Sequence, residues 1–80
     1  MAAFVYVLLN STAPRRTYVG WTLDLERRVE QHNDGSGAKT TRGGIWELIY
    51  AERYRTRNGA MKREAYLKRD RQFRTLLREG

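Results

Sequence analysis

Phe4-Val5-Tyr6-Val7-Leu8-Leu9, followed after a short gap by Thr17-Tyr18-Val19-Gly20-Trp21-Thr22, is the stretch whose reading decides the fold of this 80-residue chain. An unbroken succession of aromatic, β-branched and aliphatic residues reads as a strand covered on both faces, and such a strand is central in its sheet. Between the two runs, Ser11, Thr12 and Pro14 supply turn chemistry, so the runs pair as an antiparallel hairpin. Gly20 is weak strand material. Its presence predicts either a bulge or the close approach of another group to the backbone.

Working outward, the period changes at Leu23. Leu25, Val29 and His32 fall on one helical face with Arg28, while Glu26, Arg27, Glu30 and Gln31 fall elsewhere. Thr22 or Asp24 is placed to cap this helix, and Asn33-Asp34-Gly35 supplies the residues that end one. The loop Gly35 to Gly44 has small residues, the cations Lys39 and Arg42 and no acid beyond Asp34, which suits either a phosphate backbone or a plain connection. Ile45 to Ala51 resumes strand character, Arg55 to Asn58 reads as a polar break, and a basic helical stretch runs from about Gly59 onward. Ala60, Glu64 and Leu67 share one face of it, Phe73 with Leu76 or Leu77 anchors its end, and Asp70 is where it would split in two. The order strand, strand, helix, strand, helix predicts an α+β fold, a small antiparallel sheet with helices packed against it.

A chain of this length builds one core, so residues 1–80 are expected to form a single domain. The absence of cysteine excludes disulfide frameworks, thiolate zinc sites and cysteine nucleophiles, and points to a reducing, intracellular setting, cytoplasm or nucleus. No apolar run approaches the roughly 20 residues that cross a bilayer, so no membrane association is expected. Sixteen basic against 9 acidic residues give a net charge of +7, which points to a polyanionic partner, nucleic acid foremost. Most of the cations are arginines, whose planar fork matches phosphate oxygens.

Three ionisable residues sit where apolar ones are expected: Arg28 and His32 on the apolar face of the first helix, and Glu64 on that of the last. Buried ionisable groups are costly unless paired, hydrogen-bonded or bound to an ion, and functional sites are enriched in them. Each also has a plain reading. Arg28 would be a snorkelling side chain or the partner of Glu64 in an ion pair, and His32 would interact with the end of the helix dipole. No glycine-rich phosphate loop, paired-histidine zinc motif, aspartate cluster or nucleophile elbow is present, so those templates do not apply.

Val5-Tyr6-Val7, Tyr18-Val19-Gly20 and Asp24-Leu25-Glu26-Arg27-Arg28-Val29-Glu30-Gln31-His32-Asn33 together resemble the signature of the GIY-YIG nuclease superfamily. The resemblance continues through Gly37-Ala38-Lys39-Thr40-Thr41-Arg42, Trp46-Glu47-Leu48-Ile49-Tyr50 and Lys62-Arg63-Glu64-Ala65, where it is nearest to the Slx-type nucleases and the YhbQ-like (UPF0213) small stand-alone domains. It implies a three-stranded antiparallel sheet flanked by about three helices. It also implies hydrolysis of DNA phosphodiester bonds, in structured, branched or single-stranded DNA, with one divalent metal, Mg²⁺ or Mn²⁺, and a place in DNA repair or recombination.

By the same resemblance Tyr18 positions or deprotonates the attacking water with Tyr6 in support, and Arg28 stabilises charge on the phosphate oxygens. Glu64 holds the metal, and His32 orients a tyrosine or assists proton transfer. A phenol ordinarily titrates near pH 10, so a metal-activated hydroxide held by Tyr18 is an equal reading. Arg27, Lys39, Arg42 and Arg63 are expected to contact nucleic acid, and a protein partner for targeting is possible in such relatives. Two departures stand out: no glycine precedes Tyr6 in the first motif, and Trp21 stands where some members carry lysine. A non-catalytic or partner-dependent nucleic-acid-binding module with the same fold is the alternative.

Overall fold

A computed structural model describes residues 2–12 and 14–80. Strand β1 is Ala3–Asn10, β2 is Thr17–Thr22 and β3 is Trp46–Tyr54, and they form one antiparallel sheet in the order β2-β1-β3. Helix α1 spans Leu25–Asp34, α2 spans Arg57–Arg69 and α3 spans Arg71–Glu79, with a single 3₁₀ turn at Lys39–Thr41. The apolar run Phe4 to Leu9 is thus the central strand, as its composition requires, and the hairpin with β2 forms in the register Tyr6 opposite Gly20. Among the described residues no helix is long and apolar enough to cross a membrane.

The two-residue period of β1 sends its side chains to opposite layers. Ala3, Val5 and Val7 join Val19, Ala60 and Leu67 in a core between the sheet and α2, flanked by Trp21, Phe73 and Leu77. Tyr6 and Leu8 join Trp46, Tyr18, Leu25 and Val29 in a second core beneath α1. Opposite the step from Val7 to Leu8 the pairing with β3 slips by one residue, from Tyr50 to Leu48. The bulge turns Ile49 and Tyr50 onto the same side, where both pack against the α2 core. Trp46, before the bulge, stays on the α1 side.

Local caps fix the helix boundaries. The Asp24 carboxylate accepts from the Arg27 backbone N–H at 3.1 Å to start α1, and Gly35 ends it at φ 87°, a left-handed conformation that glycine adopts freely. Asp70 ends α2 and, accepting from the Phe73 N–H at 3.1 Å, starts α3, so the basic stretch does split there.

Two boundaries differ from the sequence reading. Strand β3 excludes Ile45, which is exposed, and extends past Ala51 to Tyr54. Helix α2 begins at Arg57 and not at Gly59, because the Thr56 hydroxyl caps it by accepting from the Gly59 N–H at 3.1 Å.

The β3 extension depends on an inward carboxylate. Glu52 accepts from both Arg63 Nε at 2.9 Å and Nη2 at 3.1 Å, from Tyr54 Oη at 2.6 Å and from the Tyr50 hydroxyl. Burial opposes ionisation of Glu52, but Arg63 and the two phenols together hold its carboxyl down at about 2.

Candidate active site

Sheet and helix register bring Tyr6 of β1 and His32 of α1 together under the α1 layer. Tyr6 Oη lies 2.8 Å from His32 Nε2, and His32 Nδ1 lies 2.8 Å from Thr41 Oγ1. The Thr41 hydroxyl is in turn 2.8 Å from the Ala38 carbonyl oxygen. That chain has a definite direction. A carbonyl only accepts and a hydroxyl carries one proton, so Thr41 donates to Ala38 and must accept from His32 Nδ1–H. Burial, and secondarily the charge of Arg28, lowers the His32 pKa, so the ring is neutral and its Nε2 is bare. The Tyr6 hydroxyl therefore donates to Nε2. Both imidazole nitrogens are thereby occupied, and the ring is fully buried.

Gly20 makes the Tyr6 position possible. A Cβ there would stand 2.5 Å from Tyr6 Oη and 2.6 Å from Cζ, so the phenol lies flat across the β2 backbone at the one residue without a side chain. The close approach predicted at Gly20 is this one. Gly37 does the same for the histidine: a Cβ there would meet His32 Nδ1 at 2.9 Å and Cα at 3.1 Å, while the Gly37 N–H bonds the Gln31 carbonyl at 2.9 Å. The loop after α1 is thus folded down onto the imidazole, which carries Thr41 into place. Asn33 holds the same end of α1 to β3, exchanging two bonds with the Trp46 backbone, 2.7 Å to its N–H and 3.0 Å to its carbonyl.

Tyr18, half-buried on β2, sets its ring 4.8 Å from that of His32 at a tilt of 57° and 6.4 Å from that of Tyr6, with Trp46 edge-on at 6.4 Å. Burial pushes Tyr6 up to about 12, while the nearby Arg28 guanidinium pulls the other way. Arg28 is half-buried and donates to Gln31 Oε1 at 3.1 Å. Its charge acts on both Tyr6 and His32. Glu64 of α2 acts on Tyr6 as well, raising it. Its carboxylate is 3.6 Å from Lys68 Nζ, an i,i+4 contact, and is not the partner of Arg28.

Tyr6, Tyr18 and His32 are thus in mutual contact, and the charges of Arg28 and Glu64 both act on Tyr6. Thr41, Asn33 and Gly37 complete the site, and the sequence reading missed all three. The available signal was a buried-size hydroxyl in a loop returning over a helix histidine.

The four cations expected on nucleic acid are placed differently. Lys39 and Arg42 are exposed on either side of buried Thr41. Arg27 is exposed in a shallow hollow shared with Asp24, Glu26 and Glu30, so acids surround it. Arg63 is engaged by Glu52 and lies over the Tyr66 ring at 5.2 Å.

Among the described residues no three His, Cys, Asp or Glu side chains converge to cage a metal. One carboxylate fits a hard divalent ion that keeps most of its waters, and does not fit a metal needing a full protein cage.

The profile of the GIY-YIG catalytic domain matches residues 2–76. A UPF0213 protein of Natronomonas pharaonis is 45% identical over 69 residues, spanning 85% of this chain and 81% of that protein. One from Clostridium perfringens is 42% identical over 65 residues, 80% of this chain and 70% of that protein. The solution NMR structure of a UPF0213 protein from Bacillus halodurans covers 96% of this chain and 82% of its own, at 33% identity and a TM-score of 0.58. Residues, register and relatives agree that the chain belongs to the GIY-YIG catalytic domain family.

Proposed function

We propose that this protein is a metal-dependent endonuclease that hydrolyses DNA phosphodiester bonds, acting as one domain over residues 1–80. The observation that carries the reading is the directed chain from Tyr6 through His32 and Thr41 to Ala38, set against Arg28 and Glu64.

In this reading Arg28 meets the phosphate oxygens, on which charge builds as water attacks phosphorus. Tyr18, the half-exposed phenol, holds the attacking water. Tyr6 and His32 stand behind it as a proton-accepting pair: the water gives a proton to Tyr6 Oη as Tyr6 passes its own to His32 Nε2, leaving hydroxide to attack and a protonated imidazole, so no free phenolate forms at a group held near 12. Glu64 would hold Mg²⁺ or Mn²⁺, which supplies positive charge at the phosphate and acidifies water. Thr41 keeps His32 in the tautomer the relay needs.

The test is cleavage of labelled single-stranded, duplex and branched DNA with Mg²⁺ or Mn²⁺, comparing the wild type with Arg28→Ala and Glu64→Gln. Both variants are expected to keep the wild-type circular dichroism and lose cutting, and Glu64→Gln to bind Mn²⁺ more weakly. Salt-sensitive binding by the wild type without any cutting, with and without a cell extract to supply a partner, would overturn the enzyme reading in favour of a binding module.

A further inference from the structure

Strand β2 is an outer strand of the sheet, and an open cleft of about 370 Å³ lies between its start and α3. Arg16 and Thr17 form one wall, and Arg71, Arg74, Thr75 and Arg78 form the other. An adjoining cleft shares Arg16, Thr17 and Arg74 and continues past Lys68 and Thr40 to Tyr18 and Trp46. The two make one continuous groove that ends at Tyr18, and no carboxylate lines either part.

Five cations converge here: Lys68 lies 3.6 Å from the Glu64 carboxylate, and tethering separates the four arginines into two kinds. Arg74 is structural: its Nε donates to the Leu67 carbonyl at 3.1 Å and its Nη2 to that of Lys68 at 2.9 Å, closing the end of α2, while Nη1 reaches Thr17 Oγ1 at 3.5 Å. It braces the floor. Arg16, Arg71 and Arg78 are exposed, and among the described residues none forms a salt bridge. Like charges gathered without acids repel one another and weaken a fold unless a polyanion takes them up.

We propose that this groove is the track on which the sugar–phosphate backbone of one DNA strand runs into the active site. Arg71 and Arg78 are two helical turns apart on one face of α3, a rise of about 10 Å, so their guanidinium groups can meet separate phosphates of one strand. Free guanidinium groups on the rim and the hydroxyls of Thr17 and Thr75 are the donors that contact phosphates without reading bases. The far end of the groove, at Tyr18, is where the scissile phosphate must lie. The track therefore rests on the nuclease reading for its direction, and on the charge array alone for its affinity. It lies apart from Arg27 and Arg63, whose charges are matched by neighbouring acids.

The experiment compares two triple variants that each lower the net charge of +7 by three: Arg16→Gln/Arg71→Gln/Arg78→Gln in the groove, and Arg53→Gln/Arg55→Gln/Arg57→Gln around the far end of β3. All six positions are exposed, and matching thermal melts verify that both variants fold. Binding of a fluorescent single-stranded oligonucleotide is followed by anisotropy over a range of NaCl concentrations. The groove variant is expected to reduce the slope of log affinity against log salt by about 2, and the control by much less. Equal losses in the two variants would overturn the track, since they report net charge alone. So would a groove variant that loses binding to polyglutamate and keeps binding to DNA, which would make the site one for acidic polypeptides. Metal-dependent cleavage by the wild type is scored in parallel, so a protein that binds through the groove without cutting refutes the nuclease reading and leaves the track supported.

Discussion

Replacing Gly20 with alanine tests the geometry of the site at its narrowest point. The new Cβ would stand 2.5 Å from Tyr6 Oη and 2.6 Å from Cζ, where ordinary carbon contacts lie at about 3.5 Å or more. The phenol must withdraw by about 1 Å. Tyr6 is only 1% exposed, so it has no free space to enter, and a shift of that size breaks its 2.8 Å bond to His32. Overpacking costs about 1–3 kcal/mol, and a buried imidazole nitrogen left without its donor adds about 1–3 kcal/mol. A loss near 3 kcal/mol lowers the melting temperature of a domain this small by roughly 12–24 °C. Cleavage should be lost with it.

Thermal unfolding followed by circular dichroism measures this in a cycle of wild type, Gly20→Ala, Tyr6→Leu and the double variant. Leucine fills much of the core volume but does not reach the positions of Cζ and Oη. In the Tyr6→Leu background the alanine should therefore meet only the Tyr18 ring edge at 3.1 Å, which a shift of a few tenths of an ångström relieves, and should cost little. The predicted coupling is about 2–3 kcal/mol. Additivity of the two substitutions within about 0.5 kcal/mol would refute the contact on which the arrangement of Tyr6 depends.

Thr41→Val should lower stability by about 1–3 kcal/mol by leaving His32 Nδ1–H without an acceptor, and Thr41→Ser should restore it. Nitrogen-15 NMR of the wild type should find the proton on Nδ1 and none on Nε2; the opposite tautomer would reverse the proposed relay. Acid unfolding should depend on Glu52. Its folded-state pKa of about 2 lies below the ordinary 4.5, so its contribution is complete above pH 4.5 and is lost as the pH falls toward 2. Glu52→Gln should flatten that part of the stability profile, and an unchanged profile would remove the Arg63–Glu52 pair from the account. His32, also shifted downward, adds a separate loss of stability that begins as the pH drops below 6.5, because the unfolded chain takes up a proton that the folded ring resists. His32→Gln should abolish that upper phase.

Much of this protein can be read from its sequence because the signals are local. The apolar run Phe4 to Leu9 has no polar face to show solvent, so it had to be the middle strand. Asp24, Gly35 and Asp70 mark helix boundaries through bonds within a few residues. Polar residues on apolar helix faces singled out Arg28, His32 and Glu64. What the tertiary structure alone decided are contacts between residues far apart in the chain. Thr41 acquires its role because Gly37 lets the loop fold back onto His32, and Tyr6 finds Nε2 across 26 positions because Gly20 leaves it room. From sequence Arg63 is expected on nucleic acid, but the register of β3 turns the Glu52 carboxylate toward α2 and engages Arg63 there. Sixteen cations in the sequence point to a polyanion, but only folding separates those already matched by a carboxylate from the arginines gathered, unmatched, between β2 and α3.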